Sequence, residues 1–157
     1  MTKITPCLWF NGRAEEAVEF YTGIFKNSKK LTVAHYGKNM HLPEGEVLVA
    51  TFELDGQEIM ILNGGPHYKL SPAFSLSVSC EDQAEVDYFW DKLVEGGQES
   101  QCSWLTDKFG VSWQIVPKLM VKLMHDPDPT KVARVMQAMM QMVKLDCAKL
   151  QAAYDGK

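Results

Sequence analysis

The sequence lacks three features that would each point to a common function. Its four cysteines are scattered, and no two have the CxxC spacing of a zinc knuckle or a redox motif. Lysine and arginine form no basic stripe and the net charge is −4, so nucleic acid is not an expected partner. No apolar run approaches the roughly 18 residues that cross a bilayer, so a membrane is not expected either.

The N-terminus also lacks the apolar stretch and cleavage site of a signal peptide, which predicts a cytoplasmic protein. The composition is that of a globular protein, with 46% hydrophobic and 23% charged residues. A chain of 157 residues can form one domain or two small fused modules around a hydrophobic core. We expect the cysteines to be buried free thiols: Cys7, Cys80, Cys102 and Cys147.

The first half of the chain predicts a strand, a helix and three further strands. Apolar residues at helical spacing predict the helix over 14–25. Asp55-Gly56 is a typical hairpin turn, and the glycine, asparagine and proline of residues 37–46 indicate a loop. The predicted strands are 4–10, 31–36, 46–54 and 57–62.

The second half repeats this order and then adds a helical tail. Strands are predicted over 74–80, near 98–106 and over 110–116, and a helix over 83–94 that is capped by Glu81-Asp82. Asp107 is expected to cap the turn between the last two strands. In the tail, Asp128 is a candidate N-cap, Pro129 a candidate first helical residue, and one helix is predicted over 130–154. The predicted domains are 1–125, with modules at about 1–66 and 72–117, and the tail 126–157.

The matching order of elements predicts two tandem βαβββ modules. Aligning the two helices places Thr5 on Phe74, and aligning the glycine turns places Met60 on Gln114. Two such modules predict an α+β fold in which a curved mixed sheet surrounds a cavity. The predicted cavity residues are these four, the aromatics Trp104 and Trp113, and His67 in the loop that ends the first module.

Several stretches resemble a known family: CLWFNGRAEEAVEFYTGIF, FELDGQEIMILNGGP, EVDYFWDKLVEGG, CSWLTDKFGVSWQIVP and DPDPTKVARVMQAMMQMVKLD. With the tandem modules, they resemble the PhnB-like branch of the vicinal oxygen chelate superfamily, often labelled 3-demethylubiquinone-9 3-methyltransferase. That superfamily contains glyoxalases, extradiol dioxygenases and antibiotic-resistance proteins. The resemblance implies tandem βαβββ modules and a homodimer.

The resemblance also implies a site at the four symmetric positions, where metal-using members hold a divalent cation with His and Glu. Here these positions carry Thr5 (or Pro6, if the first strand slips by one residue), Met60, Phe74 and Gln114. A hydroxyl, a thioether, a phenyl ring and an amide are not the ligands that such a cation prefers. We therefore expect no catalytic metal and no cofactor.

The sequence also lacks the motif of a site that binds a methyl donor. A typical one uses a glycine-rich turn after the first strand of a doubly wound sheet. The glycine pairs at 64–65 and 96–97 do not form such a turn. The methyltransferase label therefore has no counterpart in these residues.

Three functions remain open from the sequence. The first is metal-independent binding of a small aromatic or hydrophobic molecule, with Gln114 either as a ligand contact or as an amide bonded to a neighbouring strand. The second is a metal-free enzyme with His67, Glu58 or Glu53 as acid or base. The third is a structural homodimer without a ligand, in which the methionine-rich tail contacts the partner.

Overall fold

The structure is a computed structural model that describes residues 3–157, and the chain divides into two compact units, one up to residue 70 and one from residue 71. Each unit contains a four-stranded mixed sheet. In both sheets the spatial order of the strands is first, fourth, third, second, and the first and fourth strands run parallel. The predicted tandem βαβββ fold is confirmed.

In the first unit, one helix covers one face of the sheet. Tyr21 of the helix stacks on Phe52 with ring centroids 5.9 Å apart. Strand alternation puts Ile59 and Ile61 on the same buried face as Phe52. The elements are β1 (Cys7–Phe10), α1 (Ala14–Ile24), β2 (Ser28–His35), β3 (Val47–Leu54) and β4 (Gln57–Asn63).

Two strand boundaries in this unit differ from the prediction by three residues. The first strand begins at Cys7 and not at Ile4, which is 85% exposed and cannot be held by burial. The strand predicted from residue 31 begins at Ser28, because Ser28 pairs with Leu54 next to the hairpin. The hairpin at Asp55 is confirmed, with φ values of 47° and 83° at residues 55 and 56 that fit a two-residue turn.

The second unit repeats the module and carries the tail. The predicted N-caps are confirmed: Asp82 accepts from the Glu85 N–H, and Asp128 accepts from the Thr130 N–H ahead of the helix that begins at Pro129. The elements are β5 (Ser75–Cys80), α2 (Gln83–Val94), β6 (Gln98–Glu99), β7 (Trp104–Thr106), β8 (Ser112–Pro117), α3 (Lys118–Met124), α4 (Pro129–Met140) and α5 (Cys147–Asp155).

The single helix predicted for residues 130–154 is wrong, because residues 141–146 leave the helical conformation between α4 and α5. The carbonyl oxygens of Met142 and Val143 accept hydrogen bonds from the backbone of residues 102 and 103. Asp146 then caps the start of α5. The helical spacing of apolar residues continues across this break, so the sequence pattern did not reveal it.

The buried side of the tail packs within its own unit. Its core contains Met120, Leu123, Val135, Leu145 and Leu150. Among the methionines of α4, Met139 packs against this core, whereas Met136 and Met140 are 37% and 58% exposed. Within residues 3–157, none of the helices combines the length and apolarity that crossing a bilayer requires.

Candidate ligand site

In each unit the face of the sheet turned away from the helix, here called the distal face, carries most of the residues predicted for the site. In the first sheet, the ladder aligns Cys7 with Met60 and Met60 with Thr51. Trp9 and Leu62 form the next row. These two rows are mostly apolar.

The distal face of the second sheet is polar and uncharged in two neighbouring rows. One row contains Ser77, Gln114 and Trp104, and its neighbour contains Ser75, Ser112 and Thr106. Hydroxyl groups and an amide therefore lie beside an indole. Such a face can form directional hydrogen bonds to a ligand without a charge on either side.

Gln114 is half-buried, and its Nε2 donates to the Oγ of Ser75 on the neighbouring strand at 2.9 Å. This arrangement agrees with the interpretation of Gln114 as a bonded amide. Its other polar atom, Oε1, has no hydrogen bond within the described residues and can still accept one. The hydroxyl of Ser75 accepts from Gln114 and can still donate its own proton.

Ser112 was missed by the sequence analysis. It is only 2% exposed, and its Oγ is the one buried side-chain polar atom among residues 3–157 that has no hydrogen-bond partner. A buried hydroxyl without a partner costs about 1–3 kcal/mol. Strand alternation, which puts Ser112 on the same face as Gln114, was the available sequence signal. The unsatisfied hydroxyl indicates a position where a ligand or a water would bind.

The ladder register corrects one of the four symmetric positions. Met60 and Gln114 occupy matching positions on the two fourth strands. Met60 pairs with Cys7 in the first sheet, and Gln114 pairs with Ser77 in the second. Two residues earlier, Thr5 therefore corresponds to Ser75 and not to Phe74. Phe74 precedes β5 and is 51% exposed. The predicted position was one residue too early. The connection between the first strand and the helix differs in length by one residue between the two modules, and an alignment of the helices does not account for this difference.

Trp113 does not belong to the distal face. It is 2% exposed on the helix-covered face, since adjacent strand residues point to opposite sides and Gln114 occupies the distal one. Its indole N–H donates to Asp107 Oδ2 at 2.8 Å. Asp107 Oδ1 accepts from the backbone N–H groups of Phe109 and Val111, so the predicted turn cap is confirmed. Trp104 is half-buried and pairs with Gln114 on the distal side.

His67 is exposed in the turn that follows β4. The polar contacts near this turn come from residues that the sequence analysis did not select. The hydroxyl of Tyr36 donates to the backbone oxygen of Asn63 at 2.6 Å, and Nε2 of His41 lies 3.3 Å from both the Tyr36 hydroxyl and the Gly64 oxygen. No local sequence pattern indicated this contact, because the loop of residues 37–46 brings His41 to the turn.

Trp9 is held on the distal face by the same turn. Its indole N–H donates to the backbone oxygen of Gly65 at 2.8 Å, and the ring of Tyr68 meets it edge-on at 4.9 Å between centroids. A Cβ at Gly64 would lie 2.4 Å from the Trp9 ring, so this position requires glycine. Gly64 is therefore explained by the close approach of an aromatic ring, and Gly65 by its φ of 94°, which favours glycine.

Two carboxylates also lie on the distal face of the first sheet. Glu53 and Glu58 are direct neighbours in the ladder between β3 and β4. Nζ of Lys29 lies 3.3 Å from Glu53 Oε1. These are the groups that acid–base chemistry could use in the first unit.

The expectation of four buried thiols is wrong for Cys7, which is exposed, and right for Cys80, while Cys102 and Cys147 are partly buried. Burial raises the pKa of Cys80 to about 12. Partial desolvation of the thiol groups by neighbouring atoms also raises the pKa of Cys7 and of Cys147. A raised pKa lowers the thiolate fraction, so none of these three thiols is activated as a nucleophile.

The residues at the symmetric positions do not fit a divalent cation. Thr5, Met60, Ser75 and Gln114 supply two hydroxyls, a thioether and an amide, without a carboxylate or an imidazole. Over residues 3–157, His, Cys, Asp and Glu side chains form no group of three or more that could hold a metal ion. No step of a reaction is therefore derived through a metal.

The fold defines the class of protein. FosX, a fosfomycin resistance protein from Listeria monocytogenes in complex with Mn(II) and sulfate, is 15% identical, with a TM-score of 0.53 over 73% of this chain and 92% of that chain. PA1353 from Pseudomonas aeruginosa is 20% identical, with a TM-score of 0.62 over 74% and 98%. At these identities the likeness shows the fold alone.

A more similar structure identifies the family. A putative 3-demethylubiquinone-9 3-methyltransferase, a PhnB protein from Bacillus cereus, is 39% identical with a TM-score of 0.68, over 74% of this chain and 99% of that chain. The family model for 3-demethylubiquinone-9 3-methyltransferase matches residues 2–116. The chain belongs to this PhnB-like family, a branch of the glyoxalase or vicinal oxygen chelate superfamily. Among curated proteins, none matches the chain.

Proposed function

We propose that this protein binds a small, uncharged aromatic molecule on the distal face of its second sheet, without a metal ion. One observation carries the proposal: the buried Oγ of Ser112 has no protein partner and lies on the same face as Gln114 and Trp104. A ligand oxygen bonded to Ser112 would remove the cost of that unsatisfied hydroxyl.

The neighbouring groups support an aromatic ligand with polar substituents. The indole of Trp104 offers a face or an edge for a planar ring. Oε1 of Gln114 can accept a hydrogen bond from the ligand, and the Ser75 hydroxyl can donate one. The absence of charged residues from these rows disfavours an ionic ligand, because its charge would lose solvation without gaining a partner.

The test is a thermal-shift screen of uncharged aromatic compounds, each paired with a charged analogue, followed by calorimetry on the compounds that stabilise the protein. We expect Ser112→Ala to weaken binding of such a compound about tenfold, the value of one lost hydrogen bond. It should leave thermal stability unchanged or higher, because the hydroxyl it removes is unsatisfied. Ser79→Ala, at an exposed position on the same face of β5, is the matched control and should bind as the wild type does.

Either of two results would refute this function. One is a screen in which no aromatic compound stabilises the protein. The other is equal affinity of the wild type and Ser112→Ala for every compound that binds.

A metal-free enzyme is the second candidate, supported by the neighbouring carboxylates Glu53 and Glu58 on the first sheet. In that case a compound from the screen would be converted to product, as followed by NMR. Conversion should then be lost in Glu58→Gln, while a rate equal to that of the wild type would exclude Glu58 as the acid or base.

We also propose that the protein is a homodimer, the assembly that the family resemblance implies. Light scattering coupled to size-exclusion chromatography measures its mass directly, and a monomeric mass would contradict this proposal. A dimer that binds no compound would favour a structural role.

A further inference from the structure

Residues 142–145, here called the strap, connect α4 to α5 and lie beyond the residues that the family model matches. The strap contacts the loop of residues 100–103, which leads into β7. The hydrogen bonds run from Cys102 N to Met142 O at 2.8 Å, from Ser103 N to Val143 O at 2.6 Å and from Leu145 N to Ser103 Oγ at 3.3 Å.

The loop that the strap contacts has an unfavourable backbone conformation. Cys102 and Ser103 have φ values of 59° and 64°, in the left-handed region. For residues other than glycine this conformation is unfavourable, because Cβ comes too close to the following carbonyl oxygen. Two such residues in succession persist only where the surroundings hold them. The strap supplies an acceptor for each of their N–H groups.

The position of Trp104 depends on this loop. Trp104 follows Ser103 directly, and its backbone bonds to Gln101 at 3.2 Å and to Ser100 at 2.9 Å. The backbone oxygen of Ser103 also accepts from Ile115 of β8 at 2.9 Å. The conformation at residues 102 and 103 therefore determines where β7 starts and on which side of the sheet the Trp104 indole lies.

Polar tethers on α2 hold the other side of the strap. Gln83 donates to the Leu145 oxygen at 3.1 Å and accepts from the Cys147 N–H at 2.8 Å. Nζ of Lys144 lies 2.8 Å from Asp87 Oδ1. Gln83 and Asp87 also line a cavity of about 780 Å³ together with residues 141–149. The only wholly buried side chain of the strap is that of Leu145, at 1% exposure.

We propose that the strap is a positioning element: it holds residues 102 and 103 in the left-handed conformation and thereby fixes Trp104 on the distal face beside Gln114. The consequence for affinity rests on the proposed function, since release of the strap would move a ligand-contacting ring. The effect on Trp104 itself does not depend on any ligand.

The experiment compares two double variants that change the same residue types. Gln83→Ala with Lys144→Ala removes the side-chain tethers of the strap, whereas Gln151→Ala with Lys122→Ala changes positions on α5 and α3 outside it. Hydrogen exchange at residues 102 and 103 is measured by NMR. The ¹⁹F signals of protein labelled with fluorotryptophan are recorded in parallel, and Trp104→Phe assigns the Trp104 signal.

We expect exchange at residues 102 and 103 to accelerate about tenfold in the tether variant, as the loss of one to two hydrogen bonds implies. The Trp104 signal should shift or broaden, while the signal of buried Trp113 and exchange at the core amide of Ile59 stay unchanged. The control variant should behave as the wild type does. Leu145→Ala, which removes the buried anchor of the strap, should produce the same local change.

Unchanged exchange and an unchanged Trp104 signal in both the tether variant and Leu145→Ala would overturn the proposal. If the strap opens but a compound from the screen binds with unaltered affinity, the strap does not act on the ligand site. If no compound binds any of these proteins, the proposed function fails, and the exchange and ¹⁹F results still decide the role of the strap.

Discussion

At the residue scale, Asp107 organises a turn and a neighbouring strand with one side chain. It is 3% exposed, and its carboxylate accepts from two backbone N–H groups and from the indole of Trp113. Every one of these partners is a donor. An asparagine in its place would bring an NH₂ group against at least one N–H.

We therefore expect Asp107→Asn to lower the free energy of unfolding by about 2 kcal/mol, as measured by urea denaturation. The control is Asp128→Asn at the exposed N-cap of α4, where asparagine caps as well as aspartate and the change should stay below about 0.5 kcal/mol. Equal effects of the two substitutions would contradict the role assigned to Asp107.

Because of the buried Cys80 thiol, we expect the free energy of unfolding to depend on pH in the alkaline range. Burial raises the pKa of its thiol from 9.0 to about 12 in the folded state. Because the folded-state pKa lies above the unfolded one, the stabilisation is fully present below pH 9 and is lost as the pH rises from about 9 to about 12. The free energy of unfolding should therefore fall over this range.

Urea denaturation of the wild type and of Cys80→Ala at about pH 8 and about pH 11 checks this expectation. The stability of the wild type should fall more between the two pH values than that of the variant, which lacks the titrating group. Parallel changes in both proteins would show that Cys80 contributes nothing to the pH dependence.

At the scale of elements, α3, α4 and α5 form a cluster with its own buried core. Leu150 of α5 is fully buried there, whereas Met140 of α4 is 58% exposed. We expect Leu150→Ala to destabilise the protein by about 2–5 kcal/mol, because it leaves a cavity.

Met140→Ala is the matched control, since it also truncates a large apolar side chain in the tail. Its effect on the free energy of unfolding should be below about 0.5 kcal/mol, as for most exposed positions. A small effect of Leu150→Ala would mean that the tail is not an integral part of the folded second unit.

The helices and strands also show which structural features can be predicted from sequence patterns. The caps at Asp82 and Asp128 and the hairpin at Asp55 were predicted, because each depends on residues within one turn of the chain. The break between α4 and α5 was not predicted. It depends on partners in the loop of residues 100–103, which lies far away in sequence.

At the scale of the whole molecule, the tandem modules keep the fold of the superfamily without its usual ligand types at the symmetric positions. We predict that Mn(II) or Zn(II) in tenfold excess will leave the midpoint of thermal unfolding within about 1 °C of its metal-free value. FosX from Listeria, whose crystal structure contains Mn(II), serves as the positive control. Stabilisation of this protein by either metal, reversed by a chelator, would contradict the prediction.

The sequence alone determined the order of the elements in the first module, the tandem repeat and the family, because these depend on local periodicity and on motifs contiguous in the chain. It also identified Met60 and Gln114 at matching positions of the two fourth strands. Only the tertiary structure decided which side chains share a face. Strand register, set by pairing between distant segments, replaced Phe74 by Ser75, moved Trp113 into the core and left Ser112 as a buried hydroxyl without a partner.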